Sequence, residues 1–333
     1  MPLALILEKA ALVVFMFVVT LGVAAYSTWG ERKIAAFLQD RLGPNRAGIF
    51  GLLQPLADGL KMFMKEEFIP NKAEKFLFIA GPGMFMFTAL MTGAVIPWGP
   101  TLQIADINIG ILYVMGFVSL GVYGIMIGGW ASNNKYSLFG AIRASSQMIS
   151  YELAMGLSVI AIIMLTGSLS LHDIAARQTT VWHVFIQPLG FVLFFTTALA
   201  ECNRAPFDLP ECETELIGGY HTEYSSMKLG LFLFSEYINM FISSAVISTV
   251  YFGGYNLPGL NYAQFDPIVA NAIGFVVLFS KTLFGIFCFM WIRWTLPRFR
   301  YDQLMHLGWK ILIPLAILNM VLTGGGILLF GQN

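Results

Sequence analysis

The sequence predicts an all-α polytopic membrane protein: eight transmembrane helices, with an amphipathic interfacial helix in the first cytoplasmic loop. Three observations lead there. The 333-residue chain is 57% hydrophobic and only 11% charged, against roughly 25% charged residues in an average soluble protein. With a mean hydropathy of +0.72, it cannot cover a soluble surface with polar groups. Its apolar residues gather into eight runs of about the 20 residues that a helix needs to cross the hydrocarbon core, without the strict alternation of barrel strands. Its basic residues fall almost entirely in alternate loops.

The runs cover roughly 9–29, 76–97, 109–130, 148–167, 184–201, 229–252, 269–292 and 309–330, in one integral membrane domain spanning 1–333. The apolar stretch 10–25 also looks like the core of a signal peptide. A signal peptide carries its basic residues ahead of that core, whereas here the larger basic cluster follows it. The loops at about 30–75, 131–147, 202–228 and 293–308 hold fifteen Lys and Arg, and the three loops between them hold only Arg177. The positive-inside rule puts the four basic loops in the cytoplasm, or in an organelle matrix, and both termini on the opposite side. Trp98, Trp130 and Trp291, near span ends, are expected as interface anchors.

In the first loop, "GPN" at 43–45 signals a turn. After it Leu53, Leu56, Leu60 and Met64 recur at helical spacing, with Asp58, Lys61 and Lys65 mainly on the other side. That pattern predicts a helix too polar to span, lying at the interface either as an anchor or as the wall of a binding cavity. Asp58 and Lys61, three apart, share a face and can pair.

Ionisable residues inside spans need a reason. Glu152 lies about four residues into the fourth span and Glu236 about seven into the sixth, roughly 10 Å deep at 1.5 Å per residue. A carboxylate near mid-span costs about 2.5–3.5 kcal/mol on insertion scales, and its default reading is a proton-relay or ion-pathway residue. Lys281, midway along the seventh run, can counter one of these acids. Six acids crowd between Glu201 and Glu223, with only Arg204 opposing them; composition alone reads this as a solvated acidic face. The three cysteines and four histidines show no spacing for zinc, iron–sulfur or haem ligation, and no glycine-rich nucleotide motif is present. A formal net charge of zero excludes a basic surface for nucleic acid.

The blocks "ERKIAAFLQDRLGPNRAG", "QPLADGLKMFMKE", "GWASNNKYSLFGAIRASSQMISYELAMG", "AECNRAPFDLPECETELIGGYHTEYSSMK" and "RWTLPRFRYDQLMHLGWK" resemble, in order and over essentially the whole chain, the family of quinone-chamber membrane subunits of respiratory complex I, the proton-pumping NADH:quinone oxidoreductase. The resemblance implies a translocase component of the respiratory chain with no complete redox active site of its own. Quinone is then the substrate, and FMN and iron–sulfur clusters sit on partner subunits. The implied partners are the hydrophilic quinone-module subunits on the cytoplasmic side, small neighbouring membrane subunits, quinone (ubiquinone or menaquinone) and the bilayer, with no nucleic acid and no metal. The implied location is the bacterial inner membrane, with an organellar inner membrane as the alternative.

Residue by residue, the resemblance places Glu31, Arg32, Asp58 and Lys61 along the quinone passage and Arg41 in the same loop. Arg204 falls beside the chamber, and Arg293 and Arg298 at the cytoplasmic end of the seventh span. Glu201 matches a chamber acid, Glu211, Glu213 and Glu215 an acidic cluster below it, and Glu223 the close of that loop. Glu152 and Glu236 match acids leading into the membrane, so the acidic loop turns inward. Cys202 and Cys212 are expected as small neutral fillers. Three rivals stand beside this reading: the equivalent component of an energy-converting hydrogenase-type complex, a stand-alone secondary transporter, and a purely structural hinge. A transporter commonly carries an internal repeat and broken spans, and no repeat is evident in the sequence.

Overall fold

The computed structural model describes residues 3–209 and 217–330, so Glu211, Cys212, Glu213 and Glu215 lie outside the described residues. Among the described residues there is no strand. Seven helices are long and apolar enough to cross a membrane: Ile6–Leu38, Lys75–Val95, Gly110–Ala131, Lys135–Thr166, Ser226–Tyr251, Pro267–Thr295 and Tyr301–Leu329. In chain order the elements used below are α1 (Leu3–Leu38), α2 (Gln54–Met64), α3 (Lys75–Thr92), α4 (Gly110–Ala131), α5 (Lys135–Thr166), α6 (Leu171–Ala176), α7 (His183–Ile186), α8 (Pro188–Glu201), α9 (Ser226–Tyr251) and α10 (Pro267–Thr295). The last rod begins as a short helix, passes through a π-helical stretch at Leu307–Leu312, and continues to Phe330.

Local chemistry sets the ends of these helices. Asn134 caps α5 by accepting from the Tyr136 N–H at 2.9 Å, and Gly167, at φ 65°, closes it in the left-handed region. Pro188 and Pro267 open α8 and α10, where a missing N–H costs nothing. Helices α3 and α4 approach so closely that a Cβ on Gly81 would sit 2.9 Å from Gly128 Cα, the kind of contact small residues allow in membranes. Helix α9 is the hub, packing on α1, α3, α8 and α10.

The fifth apolar run, 184–201, differs from the others. It is interrupted at Gln187 into a four-residue α7 and a fourteen-residue α8. Fourteen residues span about 21 Å at 1.5 Å each, short of the hydrocarbon core. Helix α1, in turn, runs past the expected span limit of 29 to Leu38. Glu31 and Arg32 therefore sit on a rigid helix and not on a loop.

Two expectations are corrected. Trp98 is not an interface anchor: it is 1% exposed. Its backbone N–H donates to the Leu102 carbonyl at 3.0 Å, folding the loop back, and its ring stacks on Phe241 at 5.6 Å. Trp130 and Trp291 are exposed, as anchors require. Lys281 does not answer an intramembrane acid. Its ammonium donates to the carbonyls of Phe252, Gly254 and Asn256 at 2.7, 2.8 and 2.6 Å, and lies 5.1 Å over the Trp182 ring. A cation belongs there because the segment after α9 turns three backbone carbonyls toward it, beside the negative dipole end of the helix. Lys281→Met should therefore lower the stability of the purified protein by about 3 kcal/mol, the cost of orphaned buried carbonyls, read as a lower midpoint of thermal unfolding.

Candidate functional site

Three segments distant in sequence meet at one end of the bundle. The side of α1 that carries Glu31 packs against α9, and Glu31 is 5% exposed. Its carboxylate accepts from Arg204 Nη1 at 2.9 Å, from the Tyr237 hydroxyl at 2.8 Å, and from Arg293. The Arg204 guanidinium lies 4.1 Å over the Tyr237 ring. Burial by itself would lower the pKa of Arg204, but Tyr237, Glu31 and Glu236 outweigh it and hold Arg204 well above its usual value. The one carboxylate of Glu31 thus bonds two guanidinium groups. Arg204 Nε and Nη2 have no partner among the described residues.

The loop after α8 is held around this cluster. Gln147 of α5 donates to the Ala200 carbonyl at 2.9 Å, Arg298 donates to Asp208 at 2.8 Å, and the Phe299 N–H donates to the Pro206 carbonyl at 3.1 Å. Beside the cluster, α1, α2 and α9 enclose a cavity of about 230 Å³. Arg32, Asp58 and Lys61 supply its polar wall, and Pro55, Leu233 and Phe234 its apolar wall; Tyr237 lines both cavity and cluster. Asp58 pairs with Lys61 at 3.8 Å, as the spacing predicted, and more closely with Arg32 at 2.8 Å. Helix α2 is tied to α9 by Ser226, whose hydroxyl donates to the Met62 carbonyl at 3.0 Å, and by the Lys228–Glu67 pair. Its outer residues Leu56, Leu60, Phe63 and Met64 are exposed. Arg41 is exposed and does not line the cavity.

The acids separate into places of different character. Glu201, at the end of α8, is 6% exposed and its Oε2 has no partner among the described residues. It borders a cavity of about 20 Å³ shared with Thr88, Asn239 and Ser243, enough for about one water. Glu152 is half-buried and takes a hydrogen bond from Ser119. Glu236 is 4% exposed and accepts from the Tyr220 hydroxyl at 3.1 Å. Glu223 is half-buried and accepts from Asn134 Nδ2 at 2.5 Å. Of the six loop acids, the three that are described are buried or half-buried, so the solvated-face expectation does not hold for Glu201, Asp208 or Glu223. Cys202 is free and buried, with its thiol 3.5 Å from the Ser243 hydroxyl.

Sequence reasoning missed Tyr237, Tyr220, Asp208 and Gln147 as site residues. A signal existed for the tyrosines: a phenol buried in a span or under a loop needs a polar partner, and "SEYIN" puts one directly after Glu236. Nothing in the linear sequence reveals that Gln147 meets Ala200.

The NADH dehydrogenase family model matches residues 10–324. The chain is similar to an NADH-quinone oxidoreductase H subunit of Cytophaga hutchinsonii, 62% identical over 339 residues and 99% of both chains. It is 61% identical to the NADH-quinone oxidoreductase H subunit of Flavobacterium psychrophilum, over 99% of this chain and 100% of that one. It is 49% identical to an NADH-quinone oxidoreductase H subunit of Geobacter metallireducens, over 97% of each. An all-helical membrane chain with a polar cluster at one end, matched over nearly its whole length, belongs to the NADH dehydrogenase family.

Proposed function

We propose that this chain is the membrane component of an NADH-quinone oxidoreductase that forms the passage by which quinone enters and part of the quinone chamber, and that it couples quinone reduction to proton translocation through buried acids. The observation that carries the reading is the cavity between α1, α2 and α9, which opens beside the Glu31–Arg204–Arg293–Tyr237 cluster. Its volume, about 230 Å³, is below the roughly 300–1,000 Å³ of whole-ligand pockets and suits a quinone head with the start of its tail. Arg32 and Lys61 offer donors to the quinone oxygens, and Pro55, Leu233 and Phe234 accept the ring. FMN and the iron–sulfur clusters belong to partner subunits on the cytoplasmic side. Among the described residues no group of His, Cys, Asp or Glu is arranged to hold a metal.

The topology reading is eight crossings of a bacterial inner membrane, with both termini outside and α2 in the cytoplasmic interface. Contacts at one end of the bundle support it. Asn134 precedes α5, Glu223 follows α8, and the two are hydrogen-bonded, while Gln147, part-way along α5, holds the end of α8. A chain that leaves along α5 must return along α7 and α8. On this reading the short broken helix is the fifth crossing despite its length.

Arg32→Ala tests the passage. In the assembled complex, the KM for a short-chain quinone should rise about three- to tenfold with a smaller change in kcat, the loss expected of one partly exposed charged hydrogen bond; an unchanged KM overturns the assignment. A tagged chain taken from native membrane should bring flavin and iron–sulfur subunits with it. Isolation alone would favour the transporter.

A further inference from the structure

The residues that follow the acidic segment are seated on α5 by their main chain. Gly219–His221 form one 3₁₀ turn, with Gly219 at φ 60°. Gly140 of α5 lies so close that a Cβ there would be 2.6 Å from Tyr220 N and 2.7 Å from the Gly219 carbonyl carbon. Ser137 Oγ donates to the Tyr220 carbonyl at 2.6 Å. The turn is therefore seated on α5 through its main chain.

Two tyrosines reach inward from this region, and they end differently. The Tyr224 hydroxyl meets the backbone carbonyls of Phe78 and Gly128, at 3.1 and 3.2 Å, which do not titrate. Tyr220, 0% exposed, packs edge-on to Phe232 at 5.1 Å and donates its hydroxyl to Glu236 Oε1 at 3.1 Å. The charge of Glu236 is also felt by Arg204, the partner of Glu31. Tyr220 thus joins the turn that follows the acidic segment in the chain to the Glu236–Arg204–Glu31 set.

We propose that Tyr220 is a positioning residue that ties the hydrogen bonding of Glu236 to the seating of the turn after the acidic segment. The carboxylate keeps this donor only while the turn stays on α5. A displacement of the turn withdraws the hydroxyl into a site where no bulk water replaces it, and a hydrogen bond to a buried charge is among the strong ones. Tyr220 exchanges no proton in this role; it orients the group that does. The inference rests on the reading above that Glu236 takes part in proton coupling.

The test uses the assembled complex and redox-triggered infrared difference spectroscopy, with the Glu236 carboxyl band identified by its loss in E236Q. In Y220F, which keeps the ring against Phe232, the band should move to higher wavenumber because the carboxyl loses a donor, and protons moved per NADH should fall. Tyr220→3-fluorotyrosine, a stronger donor of the same shape, should move the band the opposite way. Y220F/E236Q should lose no more than E236Q alone. An unmoved band in Y220F, shifts of the same sign in both variants, or additive losses in the double variant overturn the inference and leave the coupling role of Glu236 standing. A silent E236Q overturns that role, and the inference with it.

Discussion

E31Q is expected to abolish most quinone reduction and to lower the yield of assembled complex. Glu31 is bonded to both Arg204 and Arg293, and its side chain and that of Arg204 are almost fully buried. Neutralising it leaves two guanidinium groups side by side with their charge unanswered. Breaking a buried pair by removing one partner costs about 3–5 kcal/mol, a factor of more than about a hundred if it all appears in the population of the competent state. The Tyr237 hydroxyl loses its charged acceptor as well, so the wall shared by cluster and cavity loosens. E31Q/R293Q restores the charge balance and should recover part of the loss. That recovery, measured as a double-mutant cycle on activity and thermal midpoint, separates a charge effect from a packing effect. Equal losses in the single and double variants would show that the cluster does not act through charge.

The second large effect is expected at Glu236. E236Q keeps the size of the side chain and an acceptor for Tyr220, but it cannot ionise. A buried intramembrane acid is expensive and by default functional, so the rate of NADH-driven proton translocation in proteoliposomes should fall on the order of tenfold, equivalent to about 1.4 kcal/mol of barrier. Coupled quinone reduction should slow with it. Normal values for both, in a complex that assembles normally, would remove Glu236 from the coupling path.

These two residues also mark how far the linear chain can be read. Hydropathy found every long helix among the described residues, and the charge pattern marked Glu152 and Glu236 as groups needing partners, because an ionisable residue in an apolar run stands out without any structure. Spacing found the Asp58–Lys61 pair because both lie on one short helix. The Arg32–Asp58 pair, which joins two helices and is the closer of the two, leaves no such signal in the spacing. Lys281 was legible as an anomaly and illegible as to its answer. Backbone carbonyls carry no sequence signature, so a cation satisfied by Phe252, Gly254 and Asn256 looks the same, in sequence, as one awaiting an acid. Trp98 misled for a related reason: a tryptophan at a span end reads as an anchor until the following loop folds back over it.

The sequence by itself determined that the chain is an all-helical membrane protein, where its apolar runs lie, which loops carry the basic residues, and which family its blocks resemble. These follow from composition and period, which are local and survive without tertiary contacts. Only the tertiary structure decided that Glu31 answers Arg204 and Arg293, that Tyr237 joins the cluster to the cavity, that Tyr220 reaches Glu236, and that the end of α8 lies beside Gln147 of α5. Each of the four brings together groups that are distant in the chain or on separate elements. Their partners are chosen by helix packing, which decides which buried charges come within hydrogen-bond distance, and no spacing along the chain encodes it.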